Sequence, residues 1–443
     1  ALRGHPVDLL ELHGGLGLRD QARAFEPGPR RRVILSTNVA ETSVTLPGIG
    51  VVIDSGLVRR TRYHRGRGYL TLQPIAKDSA QQRAGRAGRM GPGTCVRLWE
   101  ERAPLEPATP PEISRESLVP LLLAAGAAGH ADLSLPFLDP PTDYAVADAR
   151  SALEELGALG DRGLTERGRA LFGLPVDAHL GRLLLEAEAR GLLPVAIELV
   201  AGLSVSRPVF RQRPDDPDDD LQQAGCDAVA LVRAVREGEP RRHGLDPMAL
   251  QEARTTAKRL RRAWGGVQAS HGGIDRRALA LAALAAWPSS AHVARRRKRS
   301  VAWSAGGTEV RLGRSSAVDP EKVEAVVALD SRALGRDRKR EVLITAAMPV
   351  PLPWLVAAGI GRERTDRVRL ERGVPVARVE RVHAGKVLSA EDVPATGERL
   401  VDAVIALILE GRLHRKAIAT TRERLEARAL HASLHDGAPP PSV

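Results

Sequence analysis

Short apolar runs separated by polar, helix-forming stretches mark the first hundred residues. Residues 33–35, 51–53 and 94–98 are runs of strand length. Each meets turn formers: Ser36-Thr37-Asn38 after the first, Asp54-Ser55-Gly56 after the second, and Gly91-Pro92-Gly93 before the third. Strands alternating with helical stretches predict a parallel sheet covered on both faces. A strand that stops in hydroxyl and amide side chains presents them at its carboxyl edge, where open α/β sheets bind ligands. Residues 57–73 alternate apolar or aromatic positions with arginine and are split by Gly66 and Gly68, which predicts a β-hairpin with a basic face.

Beyond Pro110-Pro111 the spacing changes. Ser114-Arg115-Glu116 leads into a capped amphipathic helix over 117–123. A second helix is expected over 142–156, a small strand pair over 157–159 and 163–165, and a further helix from Glu166. From Pro175 to about Trp287 the pattern is helical throughout, with helices over 179–189, 193–203, 228–236 and 275–286. The proline-broken acidic run 213–220 reads as a solvated loop in preference to a Mg2+ site. Arg259, Arg261 and Arg262 lie beside Trp264 at a helix end, a pairing that suits single-stranded RNA or a surface helix with a buried tryptophan. Gly306-Gly307 joins 301–305 to 308–312 as a tight hairpin, and 326–330 and 341–348 continue as strands of a compact barrel-like unit. A long Leu/Arg helical stretch is expected over 398–434.

Composition adds partners and compartment. At 443 residues the chain accommodates three or four domains. Its 66 Lys plus Arg exceed its 54 Asp plus Glu, a net charge of +12, and the pI is near 10.5. That balance favours polyanionic partners, although abundant Arg, Ala, Gly and Pro also fit a GC-rich genome. Cys95 and Cys226 are far apart, without metal spacing or a disulfide framework, which suits a reducing cytoplasm. The sequence shows no signal peptide and no apolar run long enough to span a bilayer.

The strongest chemical signal is the octet QRAGRAGR over 82–89. It places Arg83, Arg86 and Arg89 three residues apart, a spacing that keeps guanidinium groups on one side of a helix. Gly85 and Gly88 clear space between them. Clustered arginines with clearance suit phosphate oxygens, which the guanidinium fork binds two at a time. A disordered Arg-Gly tract would repeat, and this octet occurs once. The run at 294–299, Ala-Arg-Arg-Arg-Lys-Arg, is a second basic candidate, a nonspecific phosphate clamp.

STNVAETSVTLPGIGVVIDSG and QQRAGRAGR resemble motifs V and VI of superfamily two helicases of the DEAH/RHA type, in order and spacing. ARAFEPGP over 22–29 and His13-Gly14-Gly15-Leu16 are similar to further family segments. WPSSAHVARRRKRSVAWSAGGTEVRLG resembles the opening of the C-terminal domain of the bacterial HrpB branch, although no Trp or Tyr follows Trp354 where that branch carries them.

The resemblance implies a multidomain α/β plus α fold: a partial, N-terminally truncated second RecA-like parallel-sheet lobe over 1–102, a winged-helix domain over 103–172, a helical ratchet bundle over 173–290, and a small β-containing C-terminal domain with a helical tail over 291–443. It implies that Arg86 and Arg89 act as arginine fingers on the γ-phosphate of ATP. Gln82 would hold the attacking water or a phosphate oxygen, Phe25 would stack on the base, and Arg83 and Thr37 would join the nucleotide site. Asp54 would support this network without binding metal, its plain alternative being a strand-end turn aspartate. Asn38, Thr42, Arg60 and Arg62, with Arg65, would contact the nucleic-acid backbone. The partner implied is RNA, single-stranded or a duplex with an overhang; the motifs do not separate RNA from DNA. A cytoplasmic monomer away from the membrane is expected.

The 443 residues contain no G-x-x-x-x-G-K-[ST] phosphate loop and no D-E-x-H box for Mg2+. With Ala1 as the first residue, the chain is expected to be the C-terminal piece of a longer ATP-dependent RNA helicase, inactive alone, with the Mg2+ ligands on the missing lobe. The alternative is a non-catalytic nucleic-acid- or partner-binding protein that retains helicase folds.

Overall fold

The computed structural model describes residues 6–14, 16–42, 45–64, 67–205, 207–210, 221, 225–269, 272–298, 300–334 and 341–436. The acidic run 213–220 and the expectations placed on Gly15, Arg65, Gly66 and Arg299 lie outside them.

The first unit is built from β1 (Val7–Leu12), α1 (Leu18–Ala22), β2 (Arg31–Ser36), α2 (Val39–Thr42), β3 (Val51–Asp54), β4 (Leu57–His64), β5 (Arg67–Pro74), α3 (Lys77–Ala84) and β6 (Thr94–Arg97). β1 runs parallel to β2, and β3 runs parallel to β6. β4 and β5 form the expected hairpin, in unbroken register from Leu57↔Pro74 to His64↔Arg67.

The parallel strands are there, but the expectation of covered faces fails. Val51 is 61% exposed, Ile53 68% and Leu98 63%, and Leu9, Leu35 and Val96 also face solvent. The buried core of this unit is small, Val58, Ile75 and Ala80 with Trp99 packed against them. Polar bonds therefore carry much of the task of holding its loops.

Residues 112–172 form a separate core around Leu122, Leu123, Leu153 and Leu171. Helix Asp143–Glu155 starts where Thr142 accepts a hydrogen bond from Ala145 N, and helix Glu166–Phe172 starts where Thr165 accepts from Gly168 N. The small strand pair is present as Leu159–Gly160 and Gly163–Leu164. Gly168 is required there: a Cβ would stand 2.2 Å from the Ala158 carbonyl oxygen.

Five helices follow: Ala178–Glu188, Leu193–Leu203, Asp227–Glu237, Pro247–Ala263 and Arg276–Ala286. Their core continues without a break into Ala291, Val293, Ala325, Val327 and Met348 of the next sheet. That sheet has five strands in the order Ser300–Ser304, Ala291–Arg297, Ala325–Leu334, Glu341–Pro349, Arg311–Leu312. A separate three-stranded antiparallel meander spans Arg362–Glu371, Val374–His383 and Lys386–Pro394. The bridge between Trp303 and Val310 brings the two edge strands of the five-stranded sheet together, as a barrel-like unit requires, and the meander is a separate sheet.

Two local expectations also change. Trp303 and Val310 exchange backbone hydrogen bonds across the Gly306 turn at 2.8 and 2.9 Å. The pairing ends there, because Ser300–Ser304 pairs with Ala291–Arg297 while Arg311–Leu312 crosses to run parallel with Glu341–Pro349. The helical stretch over 398–434 divides into Glu398–Leu409 and Arg415–Asp436, since Gly411 and His414 take positive φ of 68° and 51°.

Asp227 fastens the helical bundle to the five-stranded sheet. Its Oδ2 accepts from Ser316 Oγ at 2.7 Å and Ala347 N at 2.8 Å, and its Oδ1 accepts from Ala317 N at 2.7 Å. Removing a buried acceptor orphans its donors, at about 1–3 kcal/mol each. Asp227→Ala should therefore lower stability by about 3 kcal/mol or more, read as a lower urea midpoint. Asp227→Asn, which keeps one acceptor oxygen, should recover part of the loss.

Candidate functional site

Arg83 organises the carboxyl ends of the parallel strands. Its Nε donates to Glu41 Oε2 at 2.8 Å, and its Nη1 donates to Asp54 Oδ1 at 2.9 Å and to the Leu57 carbonyl at 3.2 Å. Glu41 lies on α2, just past β2, and Asp54 closes β3. One guanidinium thus ties the two parallel strand pairs together and holds the start of β4. Ser79 Oγ donates to Glu41 Oε1, and Arg86 Nη2 donates to the Glu41 carbonyl. Gly56 N donates to Asp54 Oδ1 at 3.0 Å. Gly56 has φ of 71°, and a Cβ there would meet the Trp99 ring at 2.6 Å, so only glycine closes this turn.

The octet is not one helix. α3 ends at Ala84 and residues 85–88 form turns, so the three arginines do not share one side. Arg83 points inward with a side chain 15% exposed, Arg86 is half-buried, and Arg89 is exposed. Gly93 keeps the turn close to the strand that follows: a Cβ would be 2.2 Å from the Ala87 carbonyl oxygen. Among the described residues Arg89 joins no ion pair. Gln82 is exposed on the last turn of α3.

Of the other expected residues, Thr37, Asn38 and Thr42 follow β2 on this edge, whereas Phe25 precedes β2 and Arg60 and Arg62 lie within β4. Thr37 and Asn38 are exposed immediately past β2, where Thr37 N donates to the Leu12 carbonyl at 3.1 Å. Thr42 is exposed at the end of α2. Phe25 is half-buried in the turn after α1. Asp54, only 3% exposed, spends Oδ1 on Arg83 and Gly56 and has no partner for Oδ2. Arg60 Nη2 on β4 donates to Thr109 Oγ1 at 3.2 Å. Arg62 occupies a β4 position opposite Tyr69.

Arg83 is held within its own unit. Its guanidinium is committed to carboxylates of its own unit, Arg86 donates to the Glu41 carbonyl, and Gln82 and Arg89 are exposed. Exposed amide and guanidinium donors fit phosphate oxygens. The same edge does not fit Mg2+, because Arg83 engages both the Glu41 and the Asp54 carboxylates there. Among the described residues, no group of three His, Cys, Asp or Glu side chains could hold a metal ion.

The remaining basic candidates are largely engaged. Arg261 Nη2 donates to Glu198 at 2.9 Å, Arg236 also donates to Glu198, and Trp264 Nε1 donates to Glu188 at 2.9 Å. Glu198 is fully buried, and burial pushes its carboxyl up against the opposing pull of both arginines. In the run at 294–299, Arg295 donates to the Ala384 carbonyl, Arg296 pairs with Glu321 and Arg297 with Glu309. The tryptophan beside the arginines belongs to packing, as the surface-helix alternative holds.

Sequence reasoning missed Ser79, Asp78 and Thr109. Asp78, in the first turn of α3, accepts from Thr109 N at 3.0 Å and from Thr109 Oγ1 at 3.2 Å. The Thr109 N–H holds the Asp78 carboxyl below the ordinary carboxylate range, against the opposing effect of burial. An acidic residue in a helix's first turn was a visible signal; its partner 31 residues away was not.

Residues 2–91 match the helicase conserved C-terminal domain family. The ATP-dependent RNA helicase HrpA of Escherichia coli is 40% identical over 221 residues, covering 47% of this chain and 17% of that protein. The pre-mRNA-splicing factor ATP-dependent RNA helicase prp22 of Schizosaccharomyces pombe is 36% identical over 225 residues, 49% of this chain and 19% of that protein. The matched region thus spans about a fifth of these curated relatives. Among solved structures, the DExH-box NTPase HrpB of E. coli superposes with a TM-score of 0.67 at 24% identity, covering 99% of this chain and 52% of that one. The first unit is a helicase C-terminal lobe. The region matched by these relatives resembles the C-terminal part of DEAH/RHA-type helicases, and the chain as a whole shares the fold of HrpB.

The division of labour among the arginines is measurable. Arg83→Met should cost about 3 kcal/mol or more, because it strands two carboxylates. Arg89→Met should move stability by less than about 0.5 kcal/mol. Urea unfolding of both variants checks this. Because the Asp78 carboxyl is lowered in the fold, the stability it contributes is present above the unfolded value and lost as pH falls through the folded one. The Thr109 amide should keep its exchange protection at neutral pH and lose it below the ordinary aspartate value of about 3.9.

Proposed function

We propose that this chain is the C-terminal portion of an ATP-dependent RNA helicase in which Arg86 and Arg89 reach the γ-phosphate of ATP held by a neighbouring phosphate-loop lobe. Residues 1–102 act as the second RecA-like lobe, 103–172 as a winged helix, 173–290 as a ratchet bundle and 291–443 as the C-terminal domain. In the transition state of phosphoryl transfer, charge spreads over the equatorial oxygens, and guanidinium donors stabilise it without reorganising. Gln82 positions the attacking water or a phosphate oxygen. Phe25 stacks on the base, while Thr37 sits between nucleotide and nucleic acid. Asn38, Thr42, Arg60 and Arg62 meet the nucleic-acid backbone. Mg2+ would be bound by the phosphate-loop lobe. The protein works as a cytoplasmic monomer; among the described residues no helix is long and apolar enough to cross a membrane.

The observation that carries this reading is the commitment of Arg83. By holding Glu41 and Asp54, it fixes the end of α3 and leaves Gln82, Arg86 and Arg89 at the strand-end edge. The relatives' names supply the RNA and the ATP.

The 443-residue chain alone should show no ATPase activity. Joined to a phosphate-loop lobe, it should show RNA-stimulated turnover that falls about a thousandfold with Arg86→Ala or Arg89→Ala. RNA binding without turnover in the joined protein would point to a non-catalytic binder. Equal stimulation by DNA and RNA strands of the same sequence would remove the preference for RNA.

A further inference from the structure

Arg60 on β4 is connected to α3, which leads into the octet, through a residue outside both elements. Arg60 Nη2 donates to Thr109 Oγ1 at 3.2 Å. A threonine hydroxyl has one hydrogen to give, and here it goes to Asp78 Oδ1 at 3.2 Å, while Thr109 N donates to Asp78 Oδ2 at 3.0 Å. The neighbouring Lys77 N donates to the Glu106 carbonyl at 2.8 Å. The segment at 106–109 is therefore gripped by the first turn of α3. At the other end of α3, Arg83 Nη1 donates to the Leu57 carbonyl at 3.2 Å, where β4 begins. Strand and helix are thus tied at two points, one direct and one through Thr109. Thr109 also leads directly into Pro110-Pro111 and the domain that follows.

This arrangement can register a load. A phosphate drawn against Arg60 competes with the Thr109 hydroxyl for the guanidinium, and a phosphate oxygen carries a negative charge that the hydroxyl lacks, which favours the phosphate. Weakening the Arg60–Thr109 bond changes what Asp78 holds, at the start of the helix whose end positions Gln82 and Arg86. The geometry points to Asp78 and Thr109 as positioning residues that carry contact with single-stranded nucleic acid at Arg60 to the arginine-bearing end of α3. This rests on the assignment of Arg60 as a nucleic-acid contact. Coupling of this kind is reciprocal: occupancy at the octet alters affinity at the hairpin by the same factor.

Hydrogen–deuterium exchange of the full 443-residue chain, with and without a single-stranded oligoribonucleotide, tests it. The wild type should change its exchange at 57–64 and also at 77–90 on binding. Thr109→Val removes the hydroxyl and keeps the backbone N–H on Asp78. It should bind the oligonucleotide within about threefold of wild type by fluorescence anisotropy, keep the change at 57–64 and lose the change at 77–90. Thr109→Ser should restore it. Asp78→Asn supplies a second variant with the same expected loss should the valine protein fail to fold. The relay is overturned if either variant keeps the wild-type response at 77–90, or if bound wild type responds at 57–64 alone. Absence of any response at 57–64 overturns the Arg60 assignment, and the relay with it.

Discussion

One guanidinium joins two pieces of sheet that share little core. Arg83 bridges Glu41, just beyond β2, and Asp54, at the end of β3. These carboxylates belong to separate parallel pairs, so the bridge sets the spacing of the strand ends where Thr37, Asn38 and the octet lie. Such a pair need not add net stability over apolar packing, since desolvation offsets much of the attraction. Its value here is registry: it turns the first octet arginine inward against Glu41 and Asp54.

The contrast with the rest of the chain is physical. The helical bundle and five-stranded sheet share a continuous buried core and are locked by Asp227, a carboxylate with three donors. The first lobe buries few side chains and leaves Val51, Ile53 and Leu98 largely exposed. Parallel sheets are ordinarily covered on both faces. The loops of this lobe are held by ion pairs and hydrogen bonds, whereas the bundle and the five-stranded sheet are held by a continuous apolar core.

Much of this was legible in the sequence because local chemistry matched local structure. Thr142, Thr165 and Asp275 each precede a helical run and each caps the observed helix through its side chain. The hairpin around residues 57–73 followed from alternation. Helix Pro247–Ala263 announced itself only at its basic end, because alanines supply much of its buried face, although Asp246-Pro247 is a readable start. The break at Gly411 was hidden by Leu and Arg on both sides, which favour helix on either flank. The meander over Arg362–His383 is so rich in arginine and glutamate that its strands lack apolar contrast.

At the site, residue types were readable and their assignments were not. Three arginines at equal spacing look equivalent until Gly85 ends the helix and Glu41 and Asp54 claim the first. Long-range partners such as Thr109 for Asp78 leave no mark on local pattern. The most direct measurement is a structure of this chain joined to a phosphate-loop lobe and bound to ADP with a planar γ-phosphate mimic. The account predicts Arg86 and Arg89 guanidinium nitrogens within about 3 Å of the mimic, with Arg83 still on Glu41 and Asp54. Arg86 and Arg89 turned to solvent, with the mimic held by the other lobe alone, would contradict it.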